Sequence, residues 1–116
     1  MDLTPFTQTE LIKFFIVDPI TGEDTDIEIE AYGTDTKHYN EMTAKIAKME
    51  DLSQEDKIMA SIVLMIKSWC NVGFDGVDSL ELNLENGLKL FKAAPAIARQ
   101  MEMKIYDRVN FMIGKG

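Results

Sequence analysis

The chain has 116 residues, 46% of them hydrophobic, which is enough for one domain with a buried core and excludes disorder of the whole chain. Twenty acidic residues against twelve basic ones give a net charge of −8. This balance argues against nucleic acid as a direct partner, because phosphate binding needs clustered Lys and Arg side chains. A single cysteine and a single histidine exclude an internal disulfide and a zinc site made from these residues within one chain.

The sequence carries no signal for export or for a membrane. Its first residues, Met1 to Pro5, lack the basic start of a signal peptide. The longest apolar runs, at 14–17 and 62–66, are too short to span a bilayer. We therefore expect no membrane association and a cytoplasmic protein in a reducing compartment.

The first predicted element is a β-hairpin over residues 11–33, preceded by a loose polar arm over residues 1–10. The apolar, β-branched and aromatic run at 11–17 indicates the first strand. The residues after it are typical of a turn. Asp18 opens the turn, Pro19 has a fixed φ, and Gly22 allows a positive φ.

Strict polar–apolar alternation over residues 26–31 predicts the second strand, with one face in water. The residues predicted to face the core are Ile27, Ile29 and Ala31. The acidic side chains of this region suggest an Mg²⁺ or Ca²⁺ site, since both ions prefer carboxylate oxygens. They are Asp24, Asp26, Glu28 and Glu30. Because they alternate along one strand, a solvated face is the better interpretation, and we predict no metal site.

Residues 34–112 are predicted to be helical, and the first two helices follow from caps and apolar spacing. Thr34 or Asp35 is expected to cap a helix over about 36–50, on which the apolar residues form a narrow stripe. Ser53 is expected to cap a central helix that is apolar on most sides and continues to Trp69.

The remaining helices lie in the C-terminal third of the chain. Asn83 is expected to cap a short helix over about 84–92, and Pro95 to start a last helix that runs to about residue 111. We therefore predict an α+β fold in which an N-terminal β-hairpin packs on a bundle of about four α-helices. The whole chain, residues 1–116, is predicted to be one domain.

The segment between the two helical halves is predicted to be a structural corner. It contains the only tryptophan of the chain and two glycines three residues apart. We expect the indole to lie in the core and Gly73 to end the central helix in the left-handed conformation. The corner residues are Trp69, Gly73, Phe74, Gly76 and Asn83.

Two further side chains were weighed as catalytic groups. His38 has Asp35 three residues before it as an orienting partner, but a surface ion pair or a lone exposed histidine is the better interpretation. Cys70 lacks the electropositive surroundings that a reactive thiol needs, so a small buried hydrophobe is the better interpretation. No catalytic or cofactor-binding residue is predicted, and the chain is not expected to be an enzyme.

Eight methionines are many for a core of this size. Since methionine is flexible and polarizable, they predict either gap filling in the core or an adaptable groove for an apolar helix. The residues proposed for partner binding are Met42, Met49, Met101, Ile105 and Met112.

Short motifs also follow one another in a fixed order between about residues 14 and 112. These are Asp18-Pro19-Ile20-Thr21-Gly22, Ile27-Glu28-Ile29, Asp35-Thr36-Lys37-His38-Tyr39, Trp69 followed by Phe74-Asp75-Gly76, Leu82-Asn83-Leu84-Glu85-Asn86, Pro95-Ala96-Ile97-Ala98-Arg99-Gln100 and Asp107-Arg108-Val109-Asn110-Phe111. Their order and spacing resemble those of the tail assembly chaperones of long-tailed (siphophage-type) bacteriophages.

The resemblance implies a non-catalytic role in the host cytoplasm during tail morphogenesis. The implied partners are the tape measure protein, which the chaperone binds and keeps soluble, and the tail tube protein, recruited with the help of a longer form made by ribosomal frameshift. Gly114-Lys115 is the dipeptide that a slippery Gly-Lys codon pair encodes. Self-association of copies along the client is a further expectation. The alternative is a structural or connector protein that stays in the virion.

Overall fold

The structure is a computed structural model that describes residues 1–115, so Gly116 of the predicted domain lies outside the described residues. It contains one three-stranded antiparallel sheet and four α-helices, which confirms the α+β prediction. The elements are β1 (Leu11–Val17), β2 (Asp24–Tyr32), α1 (Lys37–Ala47), α2 (Gln54–Met65), β3 (Ile66–Cys70), α3 (Leu84–Ala93) and α4 (Pro95–Ile105), with short 3-10 turns at Thr4–Phe6 and Arg108–Phe111.

The N-terminal hairpin is formed by β1 and β2, as predicted. The two strands are antiparallel, with Phe14 opposite Ile29. In the connecting turn a carboxylate oxygen of Asp18 accepts a hydrogen bond from the N–H of Ile20 at 2.8 Å, and Gly22 has φ +78°. Both features are those expected from the turn residues of the sequence.

The predicted central helix is too long, because α2 ends at Met65 and the chain continues directly into β3. β3 pairs with the free side of β2, so that Trp69 lies opposite Ile29. An isolated hairpin is marginally stable in water, and a third strand satisfies the backbone groups that β2 would otherwise leave unpaired. The segment 66–70 is therefore a strand, although its apolar residues also fit the period of a helix.

Three helix N-termini carry side-chain caps. Ser53 and Asn83 cap α2 and α3 as predicted, each accepting a hydrogen bond from the backbone N–H three residues later, at 3.1 and 2.8 Å. The cap of α1 is Thr36 rather than Thr34 or Asp35, and it accepts the corresponding bond at 3.1 Å.

The last predicted helix is also interrupted. α4 ends at Ile105, and a 3-10 turn follows at Arg108–Phe111. Asp107 between them is extended and its carboxylate accepts the N–H of Val109 at 3.1 Å, so a new turn starts where the helix was expected to continue. This places Phe111 in the core, with 1% of its surface exposed.

The N-terminal arm, expected to be loose, is hydrogen-bonded to the other end of the chain. The N–H of Thr9 donates to the carbonyl of Phe111 at 2.6 Å, and the N–H of Ile113 donates to the carbonyl of Thr7 at 2.9 Å. A third bond joins the N–H of Gly114 to the carbonyl of Pro5 at 2.9 Å. Residues 5–9 are therefore held against the C-terminal segment.

The core lies between one face of the sheet and the helices, with α2 in contact with each of the other three helices. α2 and α3 approach so closely that a Cβ built on Gly87 would lie 2.6 Å from a side-chain carbon of Val63. The largest fully buried side chains are Phe91, Phe111, Ile16, Ile29, Met65, Met101 and Ile105.

Candidate functional site: a groove beside strand β1

Three of the five residues predicted to bind a partner are core residues. Met42, Met101 and Ile105 expose 5%, 1% and 0% of their surface. Met49 and Met112 are half-buried. In this structure the first three fill the space between the helices and the sheet, so they present no surface to a partner, and the five residues do not form one groove.

The corner residues have structural contacts, as expected. The indole N–H of Trp69 donates to the carbonyl of Leu80 at 2.8 Å, although Trp69 stands on a strand and not on a helix. The left-handed residues of the corner are Asn71, Asp75 and Gly76, with φ of +64°, +52° and +81°, and Gly73 is not among them.

Gly73 has a different structural reason from the one predicted. A Cβ at this position would lie 3.2 Å from the carbonyl oxygen of Val77 and 3.3 Å from that of Asp78. Phe74 and Val77 exchange two backbone hydrogen bonds of 2.9 and 3.0 Å, which close the turn beside it. The corner is therefore a tight loop that holds Trp69 against Leu80.

The two side chains weighed as catalytic groups are not paired with an activating partner. Nε2 of His38 lies 2.6 Å from the carbonyl oxygen of Leu64, and the imidazole stacks on the ring of Tyr32 at 3.8 Å. Asp35, the expected orienting partner of His38, instead accepts a hydrogen bond from Arg108 at 2.9 Å. Cys70 is exposed at the end of β3, so the prediction that it is buried is wrong.

The acidic residues of β2 lie on its exposed and half-buried positions. The carboxylate of Glu30 is 4.0 Å from the ammonium of Lys67, a distance that permits only a weak surface ion pair. Among residues 1–115, no three His, Cys, Asp or Glu side chains are grouped so that they could hold a metal ion. Within the same range, no helix has the length and apolar character needed to cross a membrane.

The candidate site is a groove of about 460 Å³ between β1 and α4. One wall comes from β1 and the other from α4 and the residues that follow it. The lining residues are Phe14, Phe15, Val17, Gln100, Met103, Lys104, Asp107 and Asn110. The groove thus combines aromatic and thioether surface with one cation, one carboxylate and two amides.

The local structure determines which side chains reach this groove. In β1, alternation buries Ile12 and Ile16 against the helices and leaves Phe15 exposed on the other face, with 47% of its surface in water. In α4, Met101 points into the core, and Met103, two residues later, points away from it and is 67% exposed.

Gln100 fixes the distance between the two walls. Its side-chain N–H donates to the carbonyl of Val17 at 2.6 Å, and its side-chain oxygen accepts the N–H of Val17 at 2.9 Å. At the end of β1, the side-chain amide of Gln100 thus makes the two hydrogen bonds that a neighbouring strand would make with Val17. This pair of hydrogen bonds ties α4 to the sheet and closes one end of the groove.

A shallower depression adjoins the groove and shares Met103 and Asp107 with it. Its other lining residues are Glu102 and Tyr106. Burial raises the pKa of the Tyr106 hydroxyl, and a hydrogen bond with Ser61 at 3.4 Å opposes that shift. The rim is therefore apolar, with carboxylates beside it and a phenol that stays neutral at physiological pH.

The sequence does not predict this groove, because the predicted partner-binding residues come from the same apolar helix stripes that face the core. Spacing alone separates Met101 from Met103, because residues two apart on a helix lie on nearly opposite faces. The alternation within 11–17 likewise places Phe15 opposite the core-facing Ile16.

Comparison with known proteins found no match for this chain among protein-family models, curated proteins or solved structures.

Proposed function

We propose that this chain is a non-catalytic tail assembly chaperone of the kind found in long-tailed bacteriophages. In this role it binds the tape measure protein in the host cytoplasm, keeps it soluble and helps to recruit tail tube subunits. The proposal takes the class of client from the order of motifs in the sequence. It takes the place of binding from the groove between β1 and α4.

The observation that carries the proposal is a continuous exposed apolar surface around that groove. Phe15, Met103 and Tyr106 expose 47%, 67% and 38% of their surfaces. Met103 lines both the groove and the adjoining depression, so the three residues form one surface. Exposed apolar residues that stand singly are ordinary, whereas a contiguous patch is typical of a surface that another chain covers.

The charge of the chain fits the same role. A net charge of −8 keeps the protein soluble while apolar surface is exposed, and it repels like copies that are not bound to a client. Many copies bound along one long client would also bind it with avidity.

The test is co-expression with the tape measure protein encoded in the same genome. The expected result is a soluble complex that elutes as one species. Met103→Glu is expected to reduce client recovery, because it places a charge in the apolar patch. Ile20→Glu is the control, since it also replaces an exposed apolar residue, 92% exposed, but lies in the turn between β1 and β2, outside the groove and the adjoining depression. An insoluble client, or equal loss with both variants, would contradict the proposal.

Mass spectrometry of purified virions separates the chaperone from a structural protein. A chaperone is expected to be absent from the finished particle. Its presence there in stoichiometric amounts would favour the alternative role of a structural or connector protein.

A further inference from the structure

The outer edge of β1 has backbone groups whose directions follow from the hydrogen bonds around it. The carbonyl of Glu10 accepts the N–H of Gly33 at 3.2 Å, so even-numbered residues point toward β2. Val17 bonds Gln100 on the opposite side. Because alternate residues of a strand point to opposite sides, Lys13 and Phe15 direct their N–H and C=O groups away from the sheet.

This outer edge is occupied at both ends and open in the middle. At one end the hydroxyl of Thr9 donates to the carbonyl of Leu11 at 3.2 Å, and at the other Gln100 holds Val17. Within residues 1–115, no hydrogen bond occupies the outward N–H and C=O groups of Lys13 and Phe15. The four groups therefore form a window that spans three residues, from Lys13 to Phe15, at about 3.3 Å per residue.

The Phe15 end of the window borders the groove, and Lys13 lies outside the lining residues. Phe14 and Phe15 line the groove on the strand side, and Met103 lines it on the helix side. A chain lying there would find backbone partners along one wall and apolar side chains along the other. These are the two components of recognition by strand addition, in which main-chain bonds give affinity and alternate side chains give selectivity.

We infer that the groove binds an extended segment of a partner protein as a fourth strand beside β1. Three residues of such a segment suffice, because two of them, spaced two apart, exchange four hydrogen bonds with Lys13 and Phe15. The side chain on the helix side packs over Phe14 and Met103. This inference deepens the proposed function. The identification of the partner with the tape measure client rests on that proposed function.

The net charge of the whole chain favours a segment with basic flanks, while the charges beside the groove are mixed, with Lys13 opposite Glu30 and Lys104 beside Asp107 in the lining. Glu30 lies directly opposite Lys13, and Glu28 directly opposite Phe15, one strand away from the added segment. Asp26 is exposed on the same strand, and the whole chain carries −8. Lys or Arg at the ends of the segment would therefore be attracted, and Asp or Glu would be repelled.

The other edge of the sheet supplies a matched control. The side-chain amide of Asn71 donates to the carbonyl of Asp26 at 2.8 Å, which places the even-numbered groups of β2 on the β3 side. Ser68 and Cys70 face them, so Trp69 directs its backbone groups outward, and Lys67 is the unpaired residue at the register shift between Ser68 and Ile66. None of the residues of β3 lines the groove. Lys67 matches Lys13 in residue type and charge and also lies on an edge strand; it differs in that it lies at a register shift, 4.0 Å from Glu30 and away from the groove.

The first experiment is a fluorescence polarisation titration of the full chain. The probe is a fluorescein-labelled peptide in which alternating valine and threonine are flanked on both sides by two lysines. Lys13→Pro removes the outward N–H without touching the β1–β2 bonds, and is expected to weaken binding at least tenfold. Lys67→Pro is expected to change the affinity less than twofold. Loss with both variants, or with neither, would overturn the inference, as would a probe that does not bind the unmodified chain.

A second measurement uses the unmodified protein and does not depend on the folding of a proline variant. Amide hydrogen exchange is followed with and without the probe peptide. The N–H groups of Lys13 and Phe15 are expected to exchange at least tenfold more slowly with peptide, and those of Lys67 and Trp69 at an unchanged rate. Peptide binding without this protection would mean that side chains alone hold the peptide, and would overturn strand addition.

Two further peptides define the occupant. The same peptide with glutamate in place of lysine is expected to bind at least fivefold more weakly, and equal affinity would refute the charge selection. An amphipathic helical peptide that binds more tightly than the extended one would identify a helix as the occupant instead. Peptide binding that persists when no tape measure complex forms would contradict the chaperone role alone and leave the strand-addition site intact.

Discussion

The two edge strands of the sheet, β1 and β3, have different surroundings. At the β3 edge, Trp69 is tied to Leu80 and Asn71 to β2, so the corner loop is held against the strand. At the β1 edge, Gln100 fixes one end of the strand and the rest borders an apolar groove. Exposed edges invite pairing with other chains, and proteins usually cover or shorten them. Both edges carry outward backbone groups without a hydrogen bond within residues 1–115, and the difference between them is that only the β1 edge borders an apolar groove.

The largest expected effect concerns the helix that forms one wall of the groove. Met101→Ala removes a side chain that is 1% exposed and is expected to cost about 2–5 kcal/mol of unfolding free energy. Met103→Ala, on the groove side of the same helix, is expected to change it by less than about 0.5 kcal/mol. Urea denaturation of both variants measures the difference. Equal losses of unfolding free energy in the two variants would mean that the core side and the groove side of α4 do not differ in burial.

The next effect tests the β3 edge. Trp69→Ala is expected to cost about 3 kcal/mol, because it removes an aromatic side chain packed on the core and its bond to Leu80. Trp69→Phe keeps most of the packing and is expected to cost about 1 kcal/mol, the contribution of one hydrogen bond. Thermal or urea unfolding measures both. If Trp69→Ala keeps its stability and loses client binding, the β3 edge is a contact surface instead.

A smaller effect tests the tie at the β1 edge. Gln100→Ala removes both hydrogen bonds to Val17 and is expected to cost about 1–2 kcal/mol. The amide of Val17 should then exchange faster with solvent. Arg99→Ala, an exposed neighbour on α4, is the control and is expected to stay within about 0.5 kcal/mol. An unchanged exchange rate at Val17 would show that Gln100 does not hold this end of the strand.

The smallest effect depends on pH and concerns the rim of the groove. Because the folded state raises the pKa of Tyr106, the folded chain keeps the phenol proton at pH values where the unfolded chain loses it. The corresponding stability is present below about pH 10 and is lost as pH rises through the folded pKa. The unfolding free energy of the unmodified chain should therefore fall relative to Tyr106→Phe above about pH 10. If the unfolding free energies of the unmodified chain and of Tyr106→Phe change in parallel with pH, the result contradicts burial of this hydroxyl.

The hairpin and two helix caps could be predicted because their signals are local. The turn after Asp18 and the caps at Ser53 and Asn83 each depend on residues within three positions of one another. The strand at 66–70 could not be predicted in this way. Its apolar residues fit a helix, and only pairing with β2, about forty residues away in sequence, makes it a strand.

The candidate site was harder to predict than the fold, because exposure depends on packing that composition does not record. The sequence predicts Met42 and Met101 as partner-binding residues, and both are buried. Met103 is not among the residues that the sequence predicts, and it is the most exposed large apolar side chain of the groove. The open groups of Lys13 and Phe15 are backbone atoms, which every residue carries, so the residue types do not predict that these groups lack a partner.

The bonds between the arm and the C-terminal segment also bear on the order of folding. Pro5, Thr7 and Thr9 bond residues from Phe111 to Gly114, and Thr9 and Phe111 are 102 positions apart in sequence. Closing so long a loop costs more chain entropy than the local turn and caps of the hairpin and helices. We therefore expect the arm to dock late in folding, so that the open edge of β1 acquires its closed N-terminal end after the hairpin has formed.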